Sequence, residues 1–381
     1  MPHDPVSRRE FLHNIAAGST GAALGSTLAG GQPLAGSNGR GGPEPPWPNT
    51  TESYPIVEPG KGAAVDHLKI VSTEELPDPY LERIRELSPG IELQAGLSDD
   101  AFRRALPDAH VIFGSFTRED LSAAPQLRWI QWGAAGVEGI LWPELVQSPV
   151  VLTNMQRIYA PVISETAIAL MLALARGLPR YAIQTQQHQW RTLDGLTELS
   201  GVTLGLVGLG GIGTETARRA HFGFGMTVLA VDPKPIPKPD FVAELHSLDG
   251  LLPMASRADI LMSATPHTPV SEGMLNESVF RVMKKTAYFI NVSRGKVVDT
   301  PALVQALKEG RIAGAGLDVA YREPLPPDDE LWTAPNLIIT CHTSGWSPKV
   351  QGRRLDLFAE NVRRYVAGLP LLNVVDKRRG Y

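Results

Sequence analysis

The chain has 381 residues, of which 43% are hydrophobic and 20% are charged, and its formal net charge at pH 7 is −4. This composition is ordinary for a globular protein, and the length is enough for two domains. A small negative charge gives no reason to expect nucleic acid or an anionic membrane surface as a partner. The only cysteine is Cys341, so no intrachain disulfide can form, and no Cys/His cluster indicates a metal site.

The first residues have the composition of a targeting signal and a linker. Ser7–Leu12 contains two consecutive arginines, and the segment that follows is rich in alanine and glycine and too weakly apolar to span a membrane. This order is typical of a twin-arginine (Tat) signal. We expect residues 1–36 to be a Tat-type signal recognised by the Tat translocase, residues 37–62 to be a Pro/Gly-rich linker, and the protein to be periplasmic or extracellular. If the two arginines are a chance feature of a disordered tail, the protein stays cytoplasmic.

From Leu68 onwards the sequence predicts alternating strands and helices. Apolar runs predict strands at Leu68–Val71, Ile91–Gln94, Val111–Phe113, Leu127–Gln131 and Val150–Leu152, with helices at Pro79–Leu87 and Asp99–Ala105. This alternation is typical of a parallel sheet covered on both faces. Gly133–Val137 directly follows the fourth strand, and its small residues either let backbone N–H groups reach a ligand anion or form a plain tight turn.

The second half of the chain repeats the strand–helix pattern. It begins with an apolar helix over Glu165–Arg176, which is expected to lie in a core or at an oligomer contact. Further strands are predicted at Val202–Val207, Thr227–Val231, Ile260–Ser263, Tyr288–Asn291, Ala313–Val319 and Leu337–Thr340, followed by an amphipathic helix over Pro348–Ala367 and an extended tail over Leu371–Tyr381. The fold class is therefore α/β with parallel sheets.

A glycine motif follows the first strand of this second half. Gly208, Gly210 and Gly213 have the spacing G-x-G-x-x-G, which allows a tight turn, close approach of a pyrophosphate and close packing of helix on sheet. A purely structural glycine-rich turn is the alternative. The residues predicted to contact the dinucleotide here are Gly208, Gly210, Gly211, Ile212 and Gly213.

An acidic residue ends the next strand. Asp232 follows Thr227–Val231, at the spacing where a carboxylate can accept hydrogen bonds from a ribose hydroxyl. This position favours NAD over NADP as the cofactor. Lys234 and Lys238 lie just beyond the acid and leave NADP open.

Three polar residues follow later strands. Arg294 lies at the end of one strand, Glu323 lies shortly after the next, and His342 ends the last one. Taken singly, they could be a surface ion pair, a solvated loop acid and a packed strand-end residue. In a doubly wound sheet, however, all three strand ends face the crevice that holds the cofactor. An arginine can bind the carboxylate of a 2-keto acid and polarise its carbonyl, while a histidine oriented by a glutamate delivers the proton.

On these motifs the chain resembles the D-isomer-specific 2-hydroxyacid dehydrogenase family, over roughly residues 65–381. The matching segments are Gly208–Gly213 with Asp232, Asn291–Gly295, Ala302–Gly310, Gly314–Val319, Glu323–Leu325, Leu331–Trp332, Pro335–Asn336 and the residues around His342. The resemblance implies hydride transfer between NAD(H) and a small 2-keto/2-hydroxy acid similar to glyoxylate or hydroxypyruvate. The implied catalytic residues are Arg294, Glu323 and His342.

The resemblance also implies an architecture. It is that of two doubly wound parallel-sheet domains, namely a flavodoxin-like substrate domain of residues 63–159 and 345–381 and a Rossmann NAD-binding domain of residues 160–344. A homodimer through the helix from Glu165 is implied as well.

Further site residues are implied by the same resemblance. Asp318 would hold the nicotinamide carboxamide, and Thr265 and Pro266 would line the adenosine side. Backbone N–H groups of Ala135 and Gly136 would bind the substrate carboxylate. The other residues implied to contact the cofactor are Val292, Ser293, His342 and Ser344, and Arg294 and His342 would also contact the substrate.

Two other functions stay open. Phosphite or formate oxidation uses the same fold, although formate-type enzymes carry a glutamine where this chain has Glu323. A catalytically idle NAD-binding regulatory protein is the alternative from a different class, and the intact triad argues against it. The chain also departs from the family pattern, because Cys341 replaces the usual proline before His342, and bulky residues at 156–159 replace small ones beside the expected substrate entry. The sequence therefore does not identify the acid.

Overall fold

The computed structural model of the chain describes residues 67–381, so the signal and linker expected at residues 1–62 lie outside the described residues. The strands are β1 (Leu68–Ser72), β2 (Ile91–Gln94), β3 (Val111–Gly114), β4 (Trp129–Trp132), β5 (Val151–Thr153), β6 (Thr203–Val207), β7 (Thr227–Val231), β8 (Glu244–His246), β9 (Ile260–Ser263), β10 (Tyr288–Asn291), β11 (Gly314–Leu317) and β12 (Leu337–Ile339). The α-helices are α1 (Asp78–Arg85), α2 (Asp99–Ala105), α3 (Arg118–Ala123), α4 (Pro143–Gln147), α5 (Ala160–Ala175), α6 (Leu178–Gln186), α7 (Gly211–Phe224), α8 (Leu251–Arg257), α9 (Glu277–Val282), α10 (Thr300–Lys308) and α11 (Pro348–Val366).

Two sheets, each with only parallel pairs, organise these elements. The first has the order β2-β1-β3-β4-β5, which is the flavodoxin-like order. The second has the order β12-β11-β10-β9-β6-β7-β8, so the chain runs outward from β6 in one direction and from β9 in the other. The crevice at the carboxyl ends of β6 and β9 is the switch point at which such sheets bind ligands. The predicted pair of doubly wound parallel sheets is confirmed.

The last helix returns to the first sheet. Phe358 of α11 is fully buried and stacks on Phe113 of β3, with ring centroids 4.0 Å apart. Val350, Leu355 and Val362 belong to the same hydrophobic cluster as the strands of the first sheet. We call the first sheet with α11 and the residues after it the first lobe, and the second sheet with its helices, α5 included, the second lobe.

Three elements differ from the sequence expectation. Helix α5 begins at Ala160 instead of Glu165, because Pro161 in its first turn lacks an N–H that would have no partner there in any case. Strand β8 was not predicted, since its three residues are polar or partly exposed at the edge of the sheet. The tail expected to be extended turns back after Asp376, whose carboxylate Oδ1 accepts hydrogen bonds from the N–H groups of Arg378 and Arg379.

A helix that spans a membrane must be both long and apolar. No single helix among residues 67–381 meets both requirements, and α5 and α6 meet them only as a pair bent by 68°.

Candidate functional site

The turn after β6 has the geometry that a pyrophosphate site needs. Gly208 has φ +94°, a backbone conformation that favours glycine, and a side-chain carbon there would lie 2.9 Å from the carbonyl oxygen of Ala264. A side-chain carbon at Gly213 would overlap the carbonyl of Gly208, so α7 packs directly on the turn. Gly210, by contrast, faces open space with no atom within 4 Å of such a carbon. The open position therefore lies at the N-terminus of α7, where Gly211 and Ile212 begin the helix and a phosphate is favoured.

Asp232 lies beside this turn at the end of β7. Its Oδ2 accepts a hydrogen bond from the N–H of Leu209 at 2.9 Å, and its Oδ1 accepts one from the N–H of Lys234, also at 2.9 Å. Each carboxylate oxygen can accept a second donor. The carboxylate is thus fixed against the glycine turn and keeps capacity for ribose hydroxyls.

Thr265 and Pro266 form the neighbouring wall after β9. The hydroxyl of Thr265 donates to the carbonyl of Val207 at 2.8 Å, which ties this loop to the glycine turn. The carbonyl of Pro266 accepts a hydrogen bond from the hydroxyl of Ser271 at 2.6 Å. The loop after β9 is therefore tied to the glycine turn by the Thr265 hydrogen bond and held in shape by the Ser271 hydroxyl.

His342 and Glu323 form a hydrogen-bonded pair. Nδ1 of His342 lies 2.7 Å from Oε2 of Glu323, and Oε1 of Glu323 accepts the N–H of Ala320 at 3.0 Å. Burial by itself would raise the pKa of the Glu323 carboxyl, but the hydrogen bond and the charge of His342 outweigh it and hold that pKa below its usual range. The carboxylate therefore stays ionised and fixes the imidazole with its Nε2 atom free to face a substrate.

Asp318 holds the loop that carries His342. Its side chain is 1% exposed, and it accepts hydrogen bonds from the Thr340 hydroxyl at 2.5 Å and from the N–H groups of Thr343 and Ser344 at 3.1 Å each. Its carbonyl accepts the N–H of His342 at 2.7 Å, which accommodates a φ of +55° at the histidine. Asp318 and Ser344 thus position the histidine, and Oδ2 of Asp318 keeps capacity for a further donor such as a carboxamide.

Arg294 is held by three neighbours after β10. The side-chain amide of Asn291 donates to the Arg294 carbonyl at 3.0 Å, and Nη1 of Arg294 donates to the carbonyl of Ser293 at 2.9 Å. Nε donates to Glu138 Oε1 of the first lobe, also at 2.9 Å. Burial favours the neutral acid at Glu138, but the Arg294 charge outweighs it and lowers the pKa of that carboxyl. With Nε and Nη1 engaged in this way, the Nη2 edge of the Arg294 guanidinium points away from Glu138 Oε1 and the Ser293 carbonyl.

That edge meets the small-residue turn after β4. A side-chain carbon at Gly136 would overlap Nη2 of Arg294, so any larger residue there would force the arginine side chain to shift. The carbonyl of Ala134 accepts the N–H of Met155 at 3.0 Å, and the carbonyl of Ala135 accepts the Asn154 amide at 2.7 Å. Because C=O and N–H point in opposite directions across a trans peptide, the N–H groups of Ala135 and Gly136 face away from these inward partners.

Val292 and Ser293 connect the end of β10 to Arg294. Both are at most 5% exposed, and the Ser293 hydroxyl lies 2.9 Å from that of Ser263 at the end of β9. Next to Arg294, Gly295 lets the backbone of Ala320 approach so closely that any side-chain carbon would overlap it. The structure thereby brings the turn that carries Arg294 against the loop that carries Glu323.

The structure also adds Glu138, which the sequence did not identify, and shows the surroundings of Arg157. Glu138 engages Arg294 from the other lobe, although the two are 156 positions apart in the sequence. Arg157, expected beside the substrate entry, lies against Gly211, where a side-chain carbon would be 2.7 Å from Arg157 Cγ. Arg157 has φ +73°, an unusual conformation for a residue with a side chain. Cys341 is exposed beside His342.

Comparisons with known proteins bear on what this arrangement does. The family model of the D-isomer specific 2-hydroxyacid dehydrogenase NAD binding domain matches residues 168–344. A glyoxylate reductase of Korarchaeum cryptofilum is 33% identical over 328 residues, which cover 81% of this chain and 96% of that relative.

Solved structures of similar proteins include members of the same family. A D-isomer specific 2-hydroxyacid dehydrogenase family protein of Aeromonas salmonicida subsp. salmonicida is 29% identical with a TM-score of 0.70, covering 82% of this chain and 100% of the other. An NADPH-dependent glyoxylate/hydroxypyruvate reductase of Sinorhizobium meliloti, in complex with NADP and sulfate, is 28% identical with a TM-score of 0.69, again covering 82% and 100%.

Proposed function

The chain belongs to the D-isomer-specific 2-hydroxyacid dehydrogenase family, and on that premise we propose that it interconverts a small 2-keto acid, similar to glyoxylate or hydroxypyruvate, with its 2-hydroxy acid. The activities named for similar proteins, glyoxylate reductase and glyoxylate/hydroxypyruvate reductase, support this class of reaction. The observation that carries the proposal is the 2.7 Å contact between His342 and Glu323 next to the Arg294 turn. In this proposal His342 would be the proton donor and Arg294 the group that binds the substrate carboxylate.

The cofactor site fits a nicotinamide dinucleotide. The open position at Gly210 would receive the pyrophosphate, and Asp232 would accept ribose hydroxyls. NAD fits the acid, and NADP remains compatible because a similar enzyme was solved with it. When bound, the nicotinamide supplies or accepts the hydride.

The protein's own side chains perform the remaining steps. The guanidinium of Arg294, with the N–H groups of Ala135 and Gly136, would bind the substrate carboxylate and polarise its carbonyl. The imidazolium of His342 would donate a proton to the carbonyl oxygen in reduction, and the neutral ring would accept it back in oxidation. Glu323 stabilises the charged imidazole in the protonated state.

Turnover of a substrate panel tests this function. We expect reduction of glyoxylate and hydroxypyruvate to consume NADH or NADPH. Pyruvate should be reduced more slowly, because it carries a methyl group where glyoxylate has a hydrogen and hydroxypyruvate has a hydroxymethyl group. The purified chain should be assayed with both cofactors. Phosphite and formate should be tested separately, as alternative substrates that would be oxidised with NAD. Binding of a dinucleotide without turnover of any of these acids would contradict the proposal and favour a regulatory protein.

A homodimer is proposed through the surface formed by α5 and the residues after it. Helix α5 is apolar around most of its circumference, and Leu178, Ile183 and Trp190 just beyond it are 51%, 54% and 102% exposed. Exposed apolar side chains grouped in this way favour association. Light scattering on the wild type should give twice the monomer mass, and Ile183→Glu should lower it. A wild-type monomer would contradict the dimer.

Export is proposed from the sequence of Ser7–Leu12. The Tat route carries folded proteins, so a dinucleotide enzyme could be loaded before transport and retain its cofactor. Replacing Arg8 and Arg9 with lysine should leave the full-length form inside the cell, whereas a wild-type chain should be shortened and exported. Cell fractionation with immunoblotting measures both. Unprocessed wild type found only in the cytoplasm would contradict export.

A further inference from the structure

The residues that follow α11 are anchored firmly to the first lobe. The N–H of Val375 donates to the carbonyl of Leu152 in β5 at 2.8 Å. The ammonium of Lys377 donates to the carbonyls of Leu145, Ser148 and Val150 at 2.7–2.9 Å, and burial lowers its pKa. Three carbonyl acceptors on one ammonium fix the position of Lys377 against α4 and the start of β5.

From that anchor the chain turns towards the second lobe. The carboxylate of Asp376 accepts hydrogen bonds from the N–H groups of Arg378 and Arg379. The backbone carbonyl of Asp376 accepts the N–H of Gly380 at 2.8 Å. Gly380 has φ +83°, which favours glycine at this point of the turn. A side-chain carbon there would lie 3.7 Å from Leu141 in the first lobe and 3.9 Å from Thr268 in the second. The turn therefore reaches the loop that also carries Thr265.

The Tyr381 ring contacts a second loop of the same lobe, the one that follows β7. The ammonium of Lys234 lies 4.0 Å from the centre of the Tyr381 ring, which is within the range of a cation–π contact. Lys234 is two residues after Asp232 and donates its own N–H to that carboxylate. Burial lowers the pKa of Lys234 and raises that of Tyr381, so this contact is partly removed from water.

We propose that residues 376–381 form a strap that crosses from the first lobe onto the adenosine end of the dinucleotide site and slows release of the dinucleotide. The strap contacts the loop after β7 through Lys234, and its Gly380 lies near Thr268 in the loop after β9. It rests on the proposed function in one respect, namely that the occupant is NAD(H) or NADP(H). Since the strap is anchored by Lys377 in one lobe and meets Lys234 in the other, separation of the lobes breaks the Tyr381 contact.

The dissociation rate of NADH from the full-length chain tests the strap. It is measured by stopped-flow loss of NADH fluorescence on displacement with excess NAD, and again with NADPH. Tyr381→Ala should raise the rate by about two- to thirty-fold, the range expected from loss of a cation–π contact at exposed to desolvated sites. Tyr381→Phe keeps the ring and should keep the wild-type rate. Arg378→Ala, a neighbouring exposed cation of the same turn, is the matched control and should also keep it.

A double-mutant cycle separates the strap from a general loosening. In a Lys234→Ala background, Tyr381→Ala should have little further effect on dissociation, because the partner of the ring is already gone. A wild-type rate in Tyr381→Ala, or an equal rise in Arg378→Ala, would overturn the strap. So would a lower melting temperature with an unchanged rate, which would make the contact purely structural. Binding of NADH without turnover of any 2-keto acid would contradict the proposed function and leave the strap to be decided by these rates.

Discussion

Replacement of Glu323 with glutamine removes one charge beside His342, the proposed proton donor, and almost nothing else. The glutamine can keep the contact to the N–H of Ala320 through its carbonyl oxygen. It then presents an amide NH₂ group to Nδ1 of His342, where the wild type has a carboxylate oxygen at 2.7 Å. An imidazolium needs an acceptor at that nitrogen, so the substitution disfavours the protonated ring.

The size of the effect follows from the contact. A hydrogen bond to a charged group contributes about 1.5–3 kcal/mol. The His342 and Glu323 side chains are 41% and 36% exposed, so water screens the pair and the lower value of about 1.5 kcal/mol is appropriate. That energy corresponds to a fall of about ten-fold in kcat for reduction at neutral pH. The fall should deepen as the pH rises, because fewer imidazole rings carry a proton.

The assay is the initial rate of NADH oxidation with glyoxylate between pH 5 and 9. In the wild type the Glu323 carboxyl has a lowered pKa, so it stays ionised over this whole range and the pair is not lost at the acid end. Glu272→Gln is a matched control, since Glu272 also contacts a histidine, His267, at 3.3 Å. A Glu323→Gln variant with the wild-type kcat and the wild-type pH profile would refute the role given to this carboxylate.

Three further substitutions test the rest of the site. His342→Asn should lower kcat for keto-acid reduction by roughly 10²- to 10⁴-fold while NADH still binds, because only proton delivery is lost; near wild-type turnover would remove the histidine from the mechanism. Arg294→Ala should raise KM and lower kcat together, as steady-state kinetics would show, whereas a change in stability alone would indicate an ordinary ion pair with Glu138. Asp232→Ala should reduce the preference for NADH over NADPH in kcat/KM, and a wild type that already prefers NADPH would contradict the predicted role of the acid.

The sequence predicted the strands well because the sheets are buried and parallel. Strand β9, for example, is fully buried and reads as an uninterrupted apolar run ending in a serine, and its predicted bounds are those observed. Strand β8 has no such signal, because an edge strand of three residues buries too little to require apolar side chains. The start of α5 did have a signal, Pro161, which is typical of a first helical turn.

The site was predictable where a motif is local and not where it depends on distant contacts. The glycine turn and Asp232 are close in sequence, and their spacing indicates their roles before any fold is known. Glu138 has no motif of its own, since its importance arises only from an arginine 156 positions away. The turn after Asp376 had a local signal, an aspartate that can accept N–H groups two and three residues on, but its contact with Lys234 depends on how the lobes meet.

The two unpredicted contacts share a place in the architecture. Glu138 joins Arg294 across the lobes at the substrate end of the cleft, and Tyr381 joins Lys234 across them at the adenosine end. Each is partly exposed, so together they contribute about 1–2 kcal/mol to closure. Contacts of that size can break while both lobes stay folded, which lets the cleft open for exchange. In the proposed function, a substrate carboxylate at the Nη2 edge of Arg294 would share the charge that Glu138 otherwise has to itself, whereas a bound dinucleotide would leave the Tyr381 contact in place. The substrate end of the cleft should therefore exchange its ligand more readily than the adenosine end.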